Sequence, residues 1–416
     1  MNNKKHADIP EVDIVLWGAS GFIGSLLAAY LWPKYGASGK VRFALGGLEK
    51  PELEALHRDL KADDRLPLIV GNAFDETFIN ALTKKARLIV STVGPYARYG
   101  STLVAACAAN GTDYCDLSGE TPWMHRMINA HQKEAEASGA RIVHSCGFDS
   151  IPSDLGVLFL QTQAQERFGH PMTDVKMRVK SLRGGASGGT VASILNVIEE
   201  VRKDPEVAKI AKNPYALAPE GMRSGVRQPN VSTFEYDEDV ENWVAPFVMA
   251  AVNTRVVHRS NALMDYAWGK AFKYDEAMMM GDGLTGRIRA AAFAGAIGAF
   301  MVGGYFTPTR FLMQKTLLPK PGEGPSPEDR ESGFYKLYLI GKDSQGNEMR
   351  VTVKGDRDPG YGSTSKMLGE TAVCLFSEIG KKDLSGGFWT PATAMGQKLI
   401  DRMIASAGLT FEEKNK

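Results

Sequence analysis

The sequence predicts an α/β fold, with an N-terminal doubly wound parallel sheet followed by a second, α+β domain. Over about the first 150 residues, short β-branched runs alternate with segments of helical period, which implies parallel strands joined by right-handed crossovers. A glycine-punctuated turn, Gly18-Ala19-Ser20-Gly21-Phe22-Ile23-Gly24, joins the first run to the first helical segment. Beyond this region strands and helices no longer alternate evenly. At 416 residues the chain has room for two or three domains.

Val12–Trp17 reads as the first strand, and Ser25–Trp32 as a helix stopped by Pro33. Val41–Leu45, Leu66–Val70, Leu88–Val93, Tyr114–Leu117 and Arg141–His144 read as the following strands. Pro51–Leu60, Glu76–Ala81, Ser101–Ala109 and Pro122–Ser138 are the helices between them. Leu155–Arg167 then has helical period, Asp174–Leu182 is strand-like, and Val191–Arg202 is helical after the loop Gly184–Gly189. Residues 213–242 are polar and aperiodic, as in a loop or lid. Phe334–Leu339 and Glu348–Val353 form a hairpin pattern, and Ser363–Glu378 and Ala392–Ala405 are helical. The expected organisation is a dinucleotide-binding Rossmann domain over 1–150 and an α+β substrate domain over 151–385. A C-terminal helical segment, 386–416, completes it, and its return to the first domain is left open.

The charge balance, 49 basic against 48 acidic residues, gives no electrostatic reason to expect a nucleic-acid partner, which normally needs a strongly basic face, and none is expected. Four cysteines, none in a CxxC pair, argue against a disulfide scaffold, and with seven histidines against a structural metal site. The first residues lack an apolar secretory core, and a reducing cytoplasmic location is expected. Ala290–Phe306 is an uncharged run rich in Ala and Gly, slightly short of the roughly 20 apolar residues of a span. A buried or partly exposed helix is its preferred reading. Peripheral contact with a membrane surface or an acyl chain is the alternative, and a true span the least favoured.

The glycine loop is the motif that carries chemistry. Gly18 permits the turn out of the strand, Gly21 lets backbone approach a diphosphate, and Gly24 allows close helix packing. The helix start offers free amides and a positive dipole end to the anion. Strand, loop and helix occur in the order this function requires. The end of the second strand decides between cofactors, because an acid there holds a ribose hydroxyl and a base a 2′-phosphate. Leu48-Glu49-Lys50 contains both kinds of charge, so NAD and NADP stay open on the residues alone. Val93-Gly94-Pro95 ends the fourth strand where backbone would pass close to a cofactor, and Tyr96 follows on the nicotinamide side.

With these segments goes a resemblance. Gly18–Gly24, Val93-Gly94-Pro95-Tyr96, Asp113–Glu120, Cys146–Gly156, Pro319–Pro325 and Gly386–Ala392 are similar to segments of the saccharopine dehydrogenase-like oxidoreductases, in the trans-acting enoyl reductase branch. The resemblance implies a nicotinamide-dependent oxidoreductase with NADP the commoner cofactor, reducing a carbon–carbon double bond of an enoyl or lipid-like substrate. Relatives often carry arginine after the glycine equivalent to Gly47, where this chain has Leu48; Lys50 is left to meet a phosphate. The competing functions are a non-catalytic dinucleotide-binding protein on lipid surfaces and a dehydrogenase of an amino-acid-derived substrate. A homodimer is the assembly entertained.

Reduction of an enoyl group needs a hydride, donors for the developing enolate oxygen, and a proton for carbon. Tyr96 is the first candidate donor, with packing at the domain seam as its structural alternative. Cys146 and Asp149 follow a strand end. Asp149 is a candidate for proton transfer, or else the cap of the helix that begins near Pro152. Asp116 and Glu120 flank a turn and would be solvated unless they touch a ligand. Gly184–Thr190 could cradle an anionic headgroup or serve as a lid.

Overall fold

A computed structural model describes residues 9–185, 188–316 and 324–414. Its strands, in chain order, are β1 (Val12–Trp17), β2 (Phe43–Gly47), β3 (Leu68–Val70), β4 (Ala86–Ser91), β5 (Asp113–Asp116), β6 (Arg141–Val143) and β7 (Asp174–Arg183). They continue with β8 (Glu235–Asp237), β9 (Asn242–Pro246), β10 (Lys273–Gly281), β11 (Phe334–Lys342), β12 (Glu348–Gly355), β13 (Gly387–Trp389) and β14 (Leu409–Glu413).

The first sheet runs β3-β2-β1-β4-β5-β6-β13, with every pair parallel. All six residues of β1 are buried, as expected of a central strand covered on both faces. Strand order reverses between β1 and β4, and the crevice beyond their carboxyl ends is where such sheets bind ligands. The fold is therefore the doubly wound α/β class that the sequence predicts. The second sheet runs β14-β12-β11-β7-β10-β9-β8, parallel only at β7–β10. Val175, Met177, Leu337, Leu339, Val351 and Val353 are buried on it in one core with Leu155 and Leu160 of the helix Ile151–Phe168. Gly156 makes that packing close, since a Cβ there would sit 3.2 Å from Leu339 and Val353.

Late segments return to the first sheet. The helix Thr364–Ser377 packs against the helix Phe22–Leu31, and a Cβ on Gly369 would lie 3.1 Å from Leu31. β13 adds the seventh strand beside β6. The segment 386–416 is thus not simply helical: β13 and the helix Pro391–Arg402 lead to β14, which pairs with β12 in the second sheet. Weak alternation hid these strands, because β13 spans three residues and takes its register from β6.

Ala290–Phe306 lies within the helix Gly283–Tyr305 and its terminal residue. The helix is mostly exposed and buries only Gly286, Ala290 and Gly304, which corrects the buried reading in favour of a partly exposed helix. Its 23 residues, with a mean hydropathy of 1.3 over an 18-residue window, make it long and apolar enough to cross a membrane by length and composition. Residues 319–323 of the Pro319–Pro325 motif, and Ala186 and Ser187 of the glycine-rich loop, lie outside the described residues.

Candidate active site

The loop after β1 is built by its glycines. Gly18 has φ +85°, a left-handed conformation that favours glycine, and a Cβ there would sit 2.5 Å from Val93 Cγ2. Its amide and that of Ala19 donate to the Gly46 carbonyl at 2.9 and 3.0 Å, tying the loop to the end of β2. Gly21 is the N-cap of the helix Phe22–Leu31, and no side chain caps that helix. The amides of Phe22, Ile23 and Gly24 therefore lack intrahelical partners and are open to an anion. A Cβ on Gly24 would overlap the Gly18 carbonyl and the Ala19 backbone. Gly24 thus keeps the helix start against its own loop, a tighter demand than packing on the sheet. Ser20 and Ile23 are half-buried along the same turn. Cradle and uncapped amides fit the diphosphate of a dinucleotide.

Phe22 turns toward the second half of the chain. Its ring meets Tyr361 edge-on at 5.1 Å, the Arg330 guanidinium lies 5.5 Å over it, and Gly324 leaves no room for a side chain against it. Past β2, Leu48 is 59% exposed and Lys50 is also exposed, with its ammonium 3.4 Å from Glu54 one helical turn on.

The end of β4 is held just as firmly. Thr92 donates from its amide and hydroxyl to Trp17 and Gly18 carbonyls, fixing Val93 beside the glycine loop. Gly94 is exposed, Pro95 caps the short helix Tyr96–Tyr99, and the Tyr96 and Ala97 amides donate to Glu120 at 2.7 and 3.0 Å. Glu120 is 1% exposed, so its expected solvation is corrected. It is a buried acceptor that sets the Gly94–Tyr96 turn, and burial, only partly offset by these bonds, raises its pKa. Asp116 is buried too, accepting from the Ser118 and Ser145 amides and pairing with His144 Nδ1 at 2.7 Å.

Two of the three catalytic candidates do not face the groove. The Tyr96 hydroxyl donates to the Ser91 carbonyl at 3.0 Å and accepts from the Leu117 amide, while its ring stacks on Trp123. Both bonding directions are used inside the core, and burial pushes the phenol well above its usual range. Its alternative, packing at a seam, is what the geometry favours. Cys146 has no exposure; its thiol donates to the Val143 carbonyl, and burial beside Cys115 holds it protonated.

Asp149 behaves differently. Its carboxyl caps nothing, because the N-cap of the helix Ile151–Phe168 is Ser150 and no side chain caps that helix. Among the described residues it has no hydrogen-bond partner. Burial, with Asp116 nearby, raises its pKa to about 7. Phe148, its neighbour, packs edge-on against Phe247 at 6.5 Å. Ser150, on the other side, donates to Asn253, which donates to Glu276 at 2.9 Å.

Phe247 and Glu276 line a cavity of about 1220 Å³ that sequence reasoning missed. Its walls come from the helices Gly188–Lys203 and Gly283–Tyr305, the segment 212–232, and the start of the helix Ala250–Leu263. The helix Gly188–Lys203 connects it to the cofactor groove: Val191 and Ile194 face the cavity, and Ser193 Oγ lies 3.6 Å from where a Gly94 Cβ would be. No short motif marks this wall, because it is assembled from separate segments spread over more than a hundred residues, from Thr190 to Met301.

Comparison with known proteins agrees with this architecture. Residues 14–143 match the saccharopine dehydrogenase NADP-binding domain, so NADP is the cofactor of the first domain. A Mycobacterium tuberculosis protein bearing the trans-acting enoyl reductase name is 39% identical over 412 residues, covering 97% of both chains. The trans-acting enoyl reductase of Mycobacterium ulcerans is 37% identical, covering 94% of this chain and 96% of that one. Among solved structures, saccharopine dehydrogenase (L-Glu forming) from Saccharomyces cerevisiae shares the fold, at a TM-score of 0.51 and 12% identity, over 97% of this chain and all of that one. The chain belongs to the saccharopine dehydrogenase-like oxidoreductases, in the trans-acting enoyl reductase branch.

Proposed function

We propose that this oxidoreductase uses NADPH to reduce a carbon–carbon double bond in an enoyl, lipid-like substrate. The observation that carries the reading is the partnerless Asp149 carboxyl beside Phe148, which packs on the wall of a large apolar cavity. Bound NADPH supplies the hydride. The loop Gly18–Gly24 holds the diphosphate on the amides of Phe22, Ile23 and Gly24, with Ala19 and Ser20 shaping the turn. Leu48 and Lys50, exposed past β2, would lie at the adenosine end, with Lys50 supplying positive charge for the 2′-phosphate. Val93, Gly94 and Pro95, at the end of β4, would line the nicotinamide side, with Gly94 leaving space for close approach. Asp149 delivers the proton that completes the reduction, and its raised pKa keeps that proton available near neutrality. Tyr96 and Cys146 serve as positioning and packing groups. The cavity receives the acyl chain and excludes water from the reacting bond.

A lipid surface is the source of such a substrate in this reading. The helix Gly283–Tyr305 contributes Ile297 and Phe300 to the cavity wall, while Leu284, Ile288, Val302 and Tyr305 are exposed on it. No acidic residue occurs between Asp282 and Glu323, so nothing there repels an anionic headgroup.

The test is fluorescence titration with NADPH and NADH, followed by NADPH oxidation on a panel of enoyl thioesters of increasing chain length. Tight NADPH binding with turnover that rises with chain length is the expected result. Binding with no turnover on any enoyl thioester favours the non-catalytic alternative. Flotation with anionic vesicles, comparing wild type with Leu284→Glu/Ile288→Glu, checks the surface contact; equal flotation removes it.

A further inference from the structure

The cavity is not uniformly apolar. Lys212, Arg223, Arg227 and Arg255 line it, against two carboxylates, Asp275 and Glu276. Glu276 is fully engaged and Asp275 is engaged through one oxygen, its Oδ1 being buried without a partner. Asp275 pairs with Arg178 at 2.9 Å, and Glu276 accepts from the Tyr274 hydroxyl at 2.7 Å and from Asn253 at 2.9 Å. Among the described residues, none of the four cations forms an ion pair. Arg255 donates to the Thr254 hydroxyl and the Ala211 carbonyl, each at 2.9 Å, and its Nε is buried without a partner. Arg223 donates to the Ala218 carbonyl at 2.9 Å and to Asn129. Arg223 and Arg255 are half-buried, while Lys212 and Arg227 are exposed. Behind them Arg259 is buried and, among the described residues, donates to the carbonyls of Leu217 and Phe388 without a carboxylate partner. Guanidinium groups withdrawn from water are ordinarily balanced by a carboxylate. Here the chain supplies positive charge to one cavity and leaves the balancing charge out.

We propose that the cavity has two parts, one lined by Val191, Ile194 and Phe300 for an acyl chain, the other formed by Arg255 and Arg223 for an anionic group on the same ligand. The inference rests on the reading of the chain as a reductase of lipid-like substrates, and adds that the substrate is acidic. Arginine suits the task, since its planar donor fork binds carboxylate and phosphate alike, and it stays charged even where burial weakens it. The volume of about 1220 Å³ exceeds the roughly 300–1,000 Å³ typical of small-molecule sites, leaving space for chain and headgroup together.

The probes are decanoate, decyl phosphate and decanol, titrated calorimetrically into the full chain with NADPH present. One or both anions should bind tighter than decanol by on the order of 10- to 100-fold, the range of a charge-assisted hydrogen bond. Their order tells carboxylate from phosphate. Arg255→Met should remove most of that preference and leave decanol affinity within about twofold. Because Arg255 also holds the Ala211 carbonyl at the end of the helix Pro205–Lys212, Arg223→Gln and Arg255→Lys carry the test if Arg255→Met does not fold. Equal binding of anions and alcohol overturns the proposal, as does an anion preference unchanged in both of those variants. NADPH affinity and enoyl turnover are read on the same samples. Anion preference without turnover on any enoyl thioester sinks the reductase reading and keeps the subsite, and turnover without anion preference does the reverse.

Discussion

Asp149→Asn is the substitution that most directly probes the assigned chemistry. With a pKa of about 7, Asp149 holds its proton in about half of the molecules at pH 7, in about nine of ten at pH 6 and in about one of a hundred at pH 9. A reaction that draws its proton from this carboxyl should be flat below about pH 6 and fall roughly tenfold per pH unit above 7. Asparagine keeps the shape but has no acidic proton. The plateau should therefore drop by on the order of 10²- to 10⁴-fold, and the alkaline limb should disappear. The assay is kcat/KM for an enoyl thioester across pH 5.5 to 9, in wild type and variant. Folding is a built-in control. Because folding raises the pKa, the wild-type carboxyl loses its stabilising contribution as pH rises from about 4 to 7, so the variant should be no less stable than wild type at pH 8. A variant retaining wild-type activity within about threefold, or keeping the same alkaline limb, would refute the assignment.

Gly24→Ala places a methyl group on the Gly18 carbonyl oxygen, a backbone atom that cannot turn aside, and overpacking of this kind costs about 1–3 kcal/mol. NADPH affinity measured by fluorescence should fall on the order of tenfold or more; unchanged affinity would mean that the loop does not hold the cofactor. Glu120→Ala strips the acceptor from two amides and should destabilise the chain by about 2–6 kcal/mol in urea unfolding, while Glu120→Gln, which keeps one acceptor, should fall between. A loss under about 1 kcal/mol would show that water satisfies those amides. Asp149, Asp154 and Glu276 all have pKa values raised to about 7 by burial, so the folded state binds more protons than the unfolded chain between about pH 4 and 7. Urea midpoints should therefore decline as pH rises through that window and level off above it; a midpoint higher at pH 8 than at pH 5 would contradict these protonation states.

The first sheet was legible because its signals are local. Six strands and the loop Gly18–Gly24 declare themselves within a few residues each, and parallel strands buried on both faces leave unbroken apolar runs such as Val12–Trp17. The helix Ala250–Leu263 and the strands β9 and β10 were not legible. Their buried faces carry Asn253, Arg259, Asn261, Asp275 and Glu276, which mask the apolar period that sequence reading depends on. The site candidates divide along the same line. Gly18 and Gly24 are required by backbone geometry at their own positions, whereas Gly21 has an ordinary φ of −69° and would bring a Cβ no closer than 3.3 Å to the Gly18 carbonyl. Tyr96 and Cys146 were named for their chemistry, but which way a side chain turns is decided by distant partners, here Leu117, Trp123 and Cys115.

That dependence on distant partners extends to the seam where a substrate would sit. Asp154, on the helix that leaves the first domain, accepts from Ser260 and from the Ala392 amide at the start of the helix Pro391–Arg402. Arg141, at the start of β6, pairs with Asp113 and donates to the carbonyls of Leu375 and Ile379. Glu370 gathers Tyr30, Lys34, Tyr35 and Arg402 around one buried carboxylate. The Arg141 and Glu370 contacts pin late segments onto the first sheet and its helices, the Asp154 contact ties late helices to the helix Ile151–Phe168, and none touches the glycine loop directly. Rigid attachment of the late segments keeps the Phe22 ring between Tyr361 and Arg330, so a diphosphate seated on the amides of Phe22 and Ile23 lies where the two halves of the chain meet. If the glycine loop holds the diphosphate, cofactor binding should be coupled to the fit of the second domain, and substitutions at Glu370 or Arg141 should weaken NADPH affinity as well as stability. Loss of stability with NADPH affinity fully retained in the folded fraction would show that the loop holds its ligand without help from the second half of the chain.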